Sequence, residues 1–121
     1  QFFTPGIPQV YYVGLLAGKN DEAKVKETGE GREINRHNFS VEEIEKEVGK
    51  EVVQRLIKLI EFRNDYPAFN GKFKVIDTNN NELILSWEKD NKECTLYCDL
   101  LTNKSIIKYI DDNENLSIFN I

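Results

Sequence analysis

The run Gly31-Arg32-Glu33-Ile34-Asn35-Arg36-His37-Asn38 places two arginines, two asparagines and a histidine close together. Such a set can hold a phosphate or a polyol. Arginine suits phosphate because its planar fork donates two parallel hydrogen bonds. The competing reading of the same residues is a surface loop closed by Arg–Glu pairs, with His37 capping or filling a gap. Arg32 is the first candidate for substrate binding, and Arg36 and His37 are further candidates. Other constellations fail on count. Gly14…Gly18-Lys19 has too few residues between its glycines for a phosphate loop, and Asn20 stands where Ser or Thr is needed. The single His37 with Cys94 and Cys98 lacks a fourth metal ligand and the close cysteine spacing of a zinc site. There is no Gly-x-Ser-x-Gly, and the acidic residues select no catalytic pair. No catalytic residue, metal or cofactor is therefore expected in this chain.

The elements around that run differ in texture. Gln9-Val10-Tyr11-Tyr12-Val13 is apolar on both alternating faces and predicts a strand covered on both sides. A short helix is predicted over 21–28 with Asn20 as its cap. Ser40-Val41-Glu42-Glu43 reads as a capping box. Val41, Ile44, Val48, Val52, Leu56, Leu59, Ile60 and Phe62 then follow at helical spacing as one buried stripe. Gly49 breaks it, so the prediction is a short helix, a longer one over about 50–65, and an end at Pro67. Residues 73–77, 83–88, 94–100, 105–110 and 116–121 read as strands of an antiparallel meander separated by polar turns. Leu83, Leu85, Trp87, Cys94, Leu96 and Cys98 are the predicted inner face. On one strand the two cysteines lie roughly 13 Å apart. A disulfide needs less than about 7 Å, so they should stay free.

Composition bounds the rest. The chain has 121 residues, is 40% hydrophobic and carries a formal charge of −5. That is enough for one packed domain. An acidic balance without a basic stripe argues against nucleic acid and against an anionic membrane surface. No apolar run approaches the roughly 18 residues of a membrane span. Free thiols fit a reducing, cytoplasmic setting. Methionine is absent and Gln1 stands first, so the expectation is a processed chain or a piece of something longer.

Thr4-Pro5-Gly6-Ile7-Pro8-Gln9-Val10-Tyr11-Tyr12-Val13-Gly14-Leu15-Leu16-Ala17-Gly18-Lys19-Asn20-Asp21 resembles the segment around the eighth barrel strand of sucrose phosphorylases, in the α-amylase-like glycoside hydrolase clan. Gly31-Arg32-Glu33-Ile34-Asn35-Arg36-His37 matches that branch's Gly-Arg-x-Ile-Asn-Arg-His. Asn38 and Phe39 depart from it, since the branch usually carries two tyrosines there. Phe62-Arg63-Asn64…Pro67-Ala68-Phe69 is similar to the clan's last barrel helix running into its C-terminal β domain. Over residues 71–121 the likeness is positional only.

The resemblance implies an α+β chain. Residues 1–70 would be the end of a (β/α)8 barrel (last strand, substrate loop, last helices), and 71–121 a small C-terminal antiparallel β domain. It implies a parent enzyme that transfers glucose from sucrose to phosphate with retention, giving α-glucose 1-phosphate and fructose. The carboxylates of that chemistry would lie on earlier barrel strands, so the isolated chain should be inactive. Arg32 falls at the position of an arginine lining the fructose/phosphate subsite, where it would offset the charge of a carboxylate-rich pocket. Arg36 and His37 would shape the loop first. Related phosphorylases act on sucrose 6'-phosphate or glucosylglycerate. A strand 9–13 without its neighbours would leave apolar surface open, so a homodimer is expected. The rival is a non-catalytic carbohydrate-binding or structural β module, with Trp87 and Tyr97 as candidate platforms and only Tyr97 facing outward by alternation.

Overall fold

The computed structural model describes residues 1–120. It divides into two compact units. One joins Gln1–Pro8 to the chain from Leu59 onward, and the other is Gln9–Lys58. This division falls elsewhere than the 70/71 boundary expected from the sequence. The reason is contact: the last turns of the long helix and the 3₁₀ turn Pro67–Asn70 share the core of the strands.

In the first unit, β1 (Lys72–Ile76), β2 (Glu82–Lys89), β3 (Lys92–Asp99), β4 (Lys104–Ile110) and β5 (Leu116–Ile118) form an antiparallel sheet in chain order. The expected meander is present. The expected last strand is shorter, ending at Ile118, and residue 121 lies outside the described residues. Asp90 carries a φ of 52° in the two-residue turn between β2 and β3, as a tight hairpin requires. The register pairs Trp87 with Cys94, Leu85 with Leu96 and Leu83 with Cys98, so the predicted inner face is one face. It is covered unevenly. Leu85, Trp87 and Cys94 are buried, whereas Leu83 is exposed at the other end. The cover comes from Phe3, Tyr66, Ala68 and Phe69, with Phe62, Tyr109 and Phe119 packed around them. Both cysteines are free. On the opposite face Ser86 and Thr95 are buried and joined by a 2.9 Å hydrogen bond.

The second unit is helical: α1 (Tyr12–Leu15), α2 (Glu22–Thr28), a 3₁₀ turn Gly31–Asn35, α3 (Val41–Val48), and the first turns of α4 (Glu51–Asp65). The strand predicted over 9–13 does not form. A strand's backbone groups need a neighbouring strand, and none of β1–β5 pairs with this segment. The chain instead turns back on itself, with Leu15 N donating to Tyr11 O at 2.9 Å and Leu16 N to Tyr12 O at 3.1 Å. So short a helix is not stable alone. It is held by burial of Val13 and by Gly18 N donating to Val13 O.

The cap of α2 is Asp21, not Asn20; its side chain accepts from Lys24 N at 2.9 Å. Ser40 and Glu43 do form the capping box. The break falls at Gly49 as expected, but the buried stripe does not run through it. Gly49 and Lys50 close tighter, three-residue bonds to Lys46 and Glu47, which resets the helical phase. Beyond it Val52 is exposed and Val53 is the buried residue; before it Val41 and Ile44 are exposed as well.

Candidate functional site

The polar run of the sequence forms the 3₁₀ turn Gly31–Asn35 and the residues just after it. It is bolted to α2 and its cap: Asp21 N donates to Ile34 O at 2.7 Å, and Lys24 Nζ meets Glu33 Oε2 at 3.5 Å. Glu33 also faces Arg36 Nη1 at 3.9 Å, so Arg36 is drawn into the loop's own framework.

His37 is gripped from two sides. Tyr12 Oη donates to its carbonyl at 2.9 Å. Its ring Nε2 lies 3.1 Å from Glu43 Oε1. The ring also packs edge-on to Phe39, with centroids 4.6 Å apart. Tyr12 packs edge-on to the same Phe39. A Cβ at Gly18 would lie 2.7 Å from Val13 Cγ1 and 3.1 Å from Phe39 Cζ, so this aromatic corner depends on a bare backbone there. The Ser40 amide, followed by the His37 ring, holds the Glu43 carboxyl below its ordinary range. The neighbouring Tyr11 hydroxyl pushes the Tyr12 phenol up.

Arg32 is different. Its side chain is 65% exposed, and its ion pair among the described residues is a 3.4 Å contact with Glu30, itself exposed. An exposed pair of this kind holds a side chain weakly. The guanidinium is thus presented rather than consumed, and its fork is available to an oxyanion. An open cleft of about 590 Å³ beside His37 and Phe39 is lined by Lys19, Asn20, Lys46 and Lys50 among others, but not by Arg32. Among the described residues no cluster of three or more His, Cys, Asp or Glu could hold a metal ion. Of the sugar-platform candidates, Trp87 is buried and donates to Phe3 O at 2.8 Å. Tyr97 lies on the other face of the sheet, half-buried, with Lys108 Nζ 5.0 Å from its ring centroid.

Sequence reasoning brought Arg32, Arg36 and His37 together, and the structure keeps them on one short segment. It missed Tyr12 and Glu43 as the loop's anchors. Tyr12 lies in the segment whose composition predicts a strand. Glu43 offered a signal: a capping glutamate uses one oxygen for the cap, and its second is free to reach elsewhere.

The chain belongs with the C-terminal region of the sucrose phosphorylases and related phosphorylases. No protein-family model matches the chain. Over 113 residues, 93% of this chain, it is 63% identical to the sucrose 6(F)-phosphate phosphorylase of Thermoanaerobacterium thermosaccharolyticum. It is 49% identical to the glucosylglycerol phosphorylase of Marinobacter adhaerens over 92% of its length. It is 47% identical to the sucrose phosphorylase of Agrobacterium vitis over 88%. The crystal structure of sucrose 6F-phosphate phosphorylase from Thermoanaerobacter thermosaccharolyticum superposes with a TM-score of 0.95 at 59% identity, covering all of this chain and 25% of that one. The chain is a C-terminal fragment of a sucrose phosphorylase-type protein and spans about a quarter of the length of these relatives.

Proposed function

We propose that this chain is the C-terminal quarter of a retaining glucoside phosphorylase, and that it supplies Arg32 to the acceptor side of the active site. In this reading the catalytic barrel lies upstream, and this chain supplies the loop that carries Arg32 and the sheet domain that follows. The parent cleaves a sucrose-type donor, passes glucose through a glucosyl-enzyme on a carboxylate and delivers it to phosphate with retention. The carboxylate nucleophile and acid/base belong to earlier barrel strands. The observation that carries the reading is 63% identity along 93% of the chain.

The plain sucrose phosphorylases of Streptococcus mutans, Agrobacterium vitis and Bifidobacterium adolescentis are 50%, 47% and 44% identical, and a second sucrose 6(F)-phosphate phosphorylase, from Ilumatobacter coccineus, is 38% identical. On the 63% identity to the Thermoanaerobacterium thermosaccharolyticum enzyme alone, we favour a donor phosphorylated on fructose over sucrose itself. Arg32 would offset repulsion between the anionic substrates and the carboxylates of the pocket. Among the described residues no helix is long and apolar enough to cross a membrane. A cytoplasmic enzyme acting as a homodimer fits this reading.

The test is kinetic, on the full-length enzyme that carries these residues. Phosphorolysis of sucrose 6F-phosphate should exceed that of sucrose in kcat/KM by about tenfold or more, since a site built for a charged group discriminates strongly. Arg32→Ala should weaken phosphate use far more than slow hydrolysis of the donor. Equal loss of both would argue against an acceptor-side role. The 121-residue chain alone should form no glucose 1-phosphate above blank.

A further inference from the structure

The loop that presents Arg32 is gripped at its far end, and the grip converges on one residue. Tyr12 holds the carbonyl of His37 and Glu43 holds its ring. The Glu43 carboxylate divides its work. Oε2 accepts the Ser40 amide at 2.7 Å, which closes the capping box. Oε1 is surplus to the helix and reaches His37. Through these two bonds the Glu43 side chain ties the first turn of α3 to the loop and acts as a post for it. Tyr12 stands on α1, whose Val13 is buried, so the second post is fixed too. Between these posts and α2, the backbone of 31–37 has little freedom, while the Arg32 side chain keeps its own.

We propose that Glu43 and Tyr12 are positioning residues that set, through His37, where the loop presents Arg32 to the phosphate or sugar-phosphate acceptor. This rests on the reading of Arg32 given above. Neither residue need touch substrate. Phosphate must meet the guanidinium in one geometry, whereas water attacking the same glucosyl-enzyme needs no arginine. Loosening the posts should therefore change the partition between phosphate and water.

The experiment uses the full-length enzyme carrying this segment. It measures the phosphate KM, the ratio of glucose 1-phosphate to glucose released, and Tm. Tyr12→Phe and Glu43→Ala should each raise the phosphate KM about tenfold and lower the product ratio to match, as expected when a reacting group is misplaced by an ångström or less. Glu43→Gln should restore most of the KM, because its amide can both accept from Ser40 and donate to the ring. Ser40→Ala is the control: it cuts the cap but leaves both bonds to His37. It should lower Tm and shift the phosphate KM less than about twofold. If Ser40→Ala shifts the KM as much as Glu43→Ala, the effect is helix stability and the proposal fails. If Arg32→Ala disables phosphate use while Tyr12→Phe and Glu43→Ala do nothing, the role of Arg32 stands and the positioning role falls. If Arg32→Ala is itself silent, both fall.

Discussion

The indole Nε1 of Trp87 donates to the backbone carbonyl of Phe3 at 2.8 Å, a buried bond between residues 84 positions apart. The same N-terminal segment is held by Arg63, whose Nε donates to Phe2 O at 2.7 Å and whose guanidinium carbon lies 4.4 Å from the Phe69 ring centroid. The sheet thus anchors residues 1–8, the stretch that leads into α1. Trp87→Phe keeps most of the ring but leaves that carbonyl without its donor. It should cost the chain about 1–2 kcal/mol in urea unfolding. Trp87→Ala should cost about 3–5 kcal/mol, because it also empties the core beside Phe69 and Phe73. Equal, small losses for both would mean the bond and the packing contribute little.

Gly71 is sterically obligatory. A Cβ there would stand 1.9 Å from Glu88 O, a backbone atom that cannot swing aside. Gly71→Ala should force β1 away from β2 and destabilise by about 3 kcal/mol or more. Gly14→Ala is the contrasting case, inside α1 with nothing within 4 Å of the new methyl. It should stabilise by about 0.5–1 kcal/mol. Thermal melts of the two variants should move in opposite directions.

Alkali should unfold the first unit through two buried acids. Burial pushes the Cys94 thiol from 9.0 up to about 12 and the Tyr66 phenol from 10.0 up to about 12. Below pH 9 folded and unfolded chains both keep these protons, so the contribution to stability is complete. Above it the unfolded chain releases them and the folded chain does not, so stability falls between pH 9 and about 12. Cys94→Ala should flatten that decline in pH-dependent melts. In the native state a thiol reagent at pH 8 should spare Cys94, which reacts only as thiolate.

Acid acts through capped and hairpin carboxylates. The Ser40 amide, with His37, lowers Glu43 below 4.5. The Asn115 amide and Ser117 hydroxyl lower Asp111 below 3.8. For groups lowered by folding, stability is complete above those ordinary values and is lost as pH falls through the folded ones. Melts between pH 6 and 3 should therefore steepen below about 4.5, and Glu43→Gln with Asp111→Asn should remove part of the slope.

Much of this molecule is local, and local features can be read along a chain. The capping box at Ser40 and Glu43, the break at Gly49, the five-strand meander and its inner face all follow from short-range spacing. So does the exposure of an arginine in a polar run. Three things depended on what lies far away in sequence. Residues 9–13 have strand composition but no strand to pair with, so α1 forms partly from them. Leu83 has the right face but lies beyond the reach of the aromatic cover, so it stays exposed while Trp87 is buried. Tyr12 and Glu43 meet at His37 because folding brings α1 and α3 to one loop across 25 and 6 positions. Propensity and period determine which backbone each segment prefers. Only the tertiary structure decides which partners arrive to satisfy it, because hydrogen bonds and burial are settled between segments, not within them.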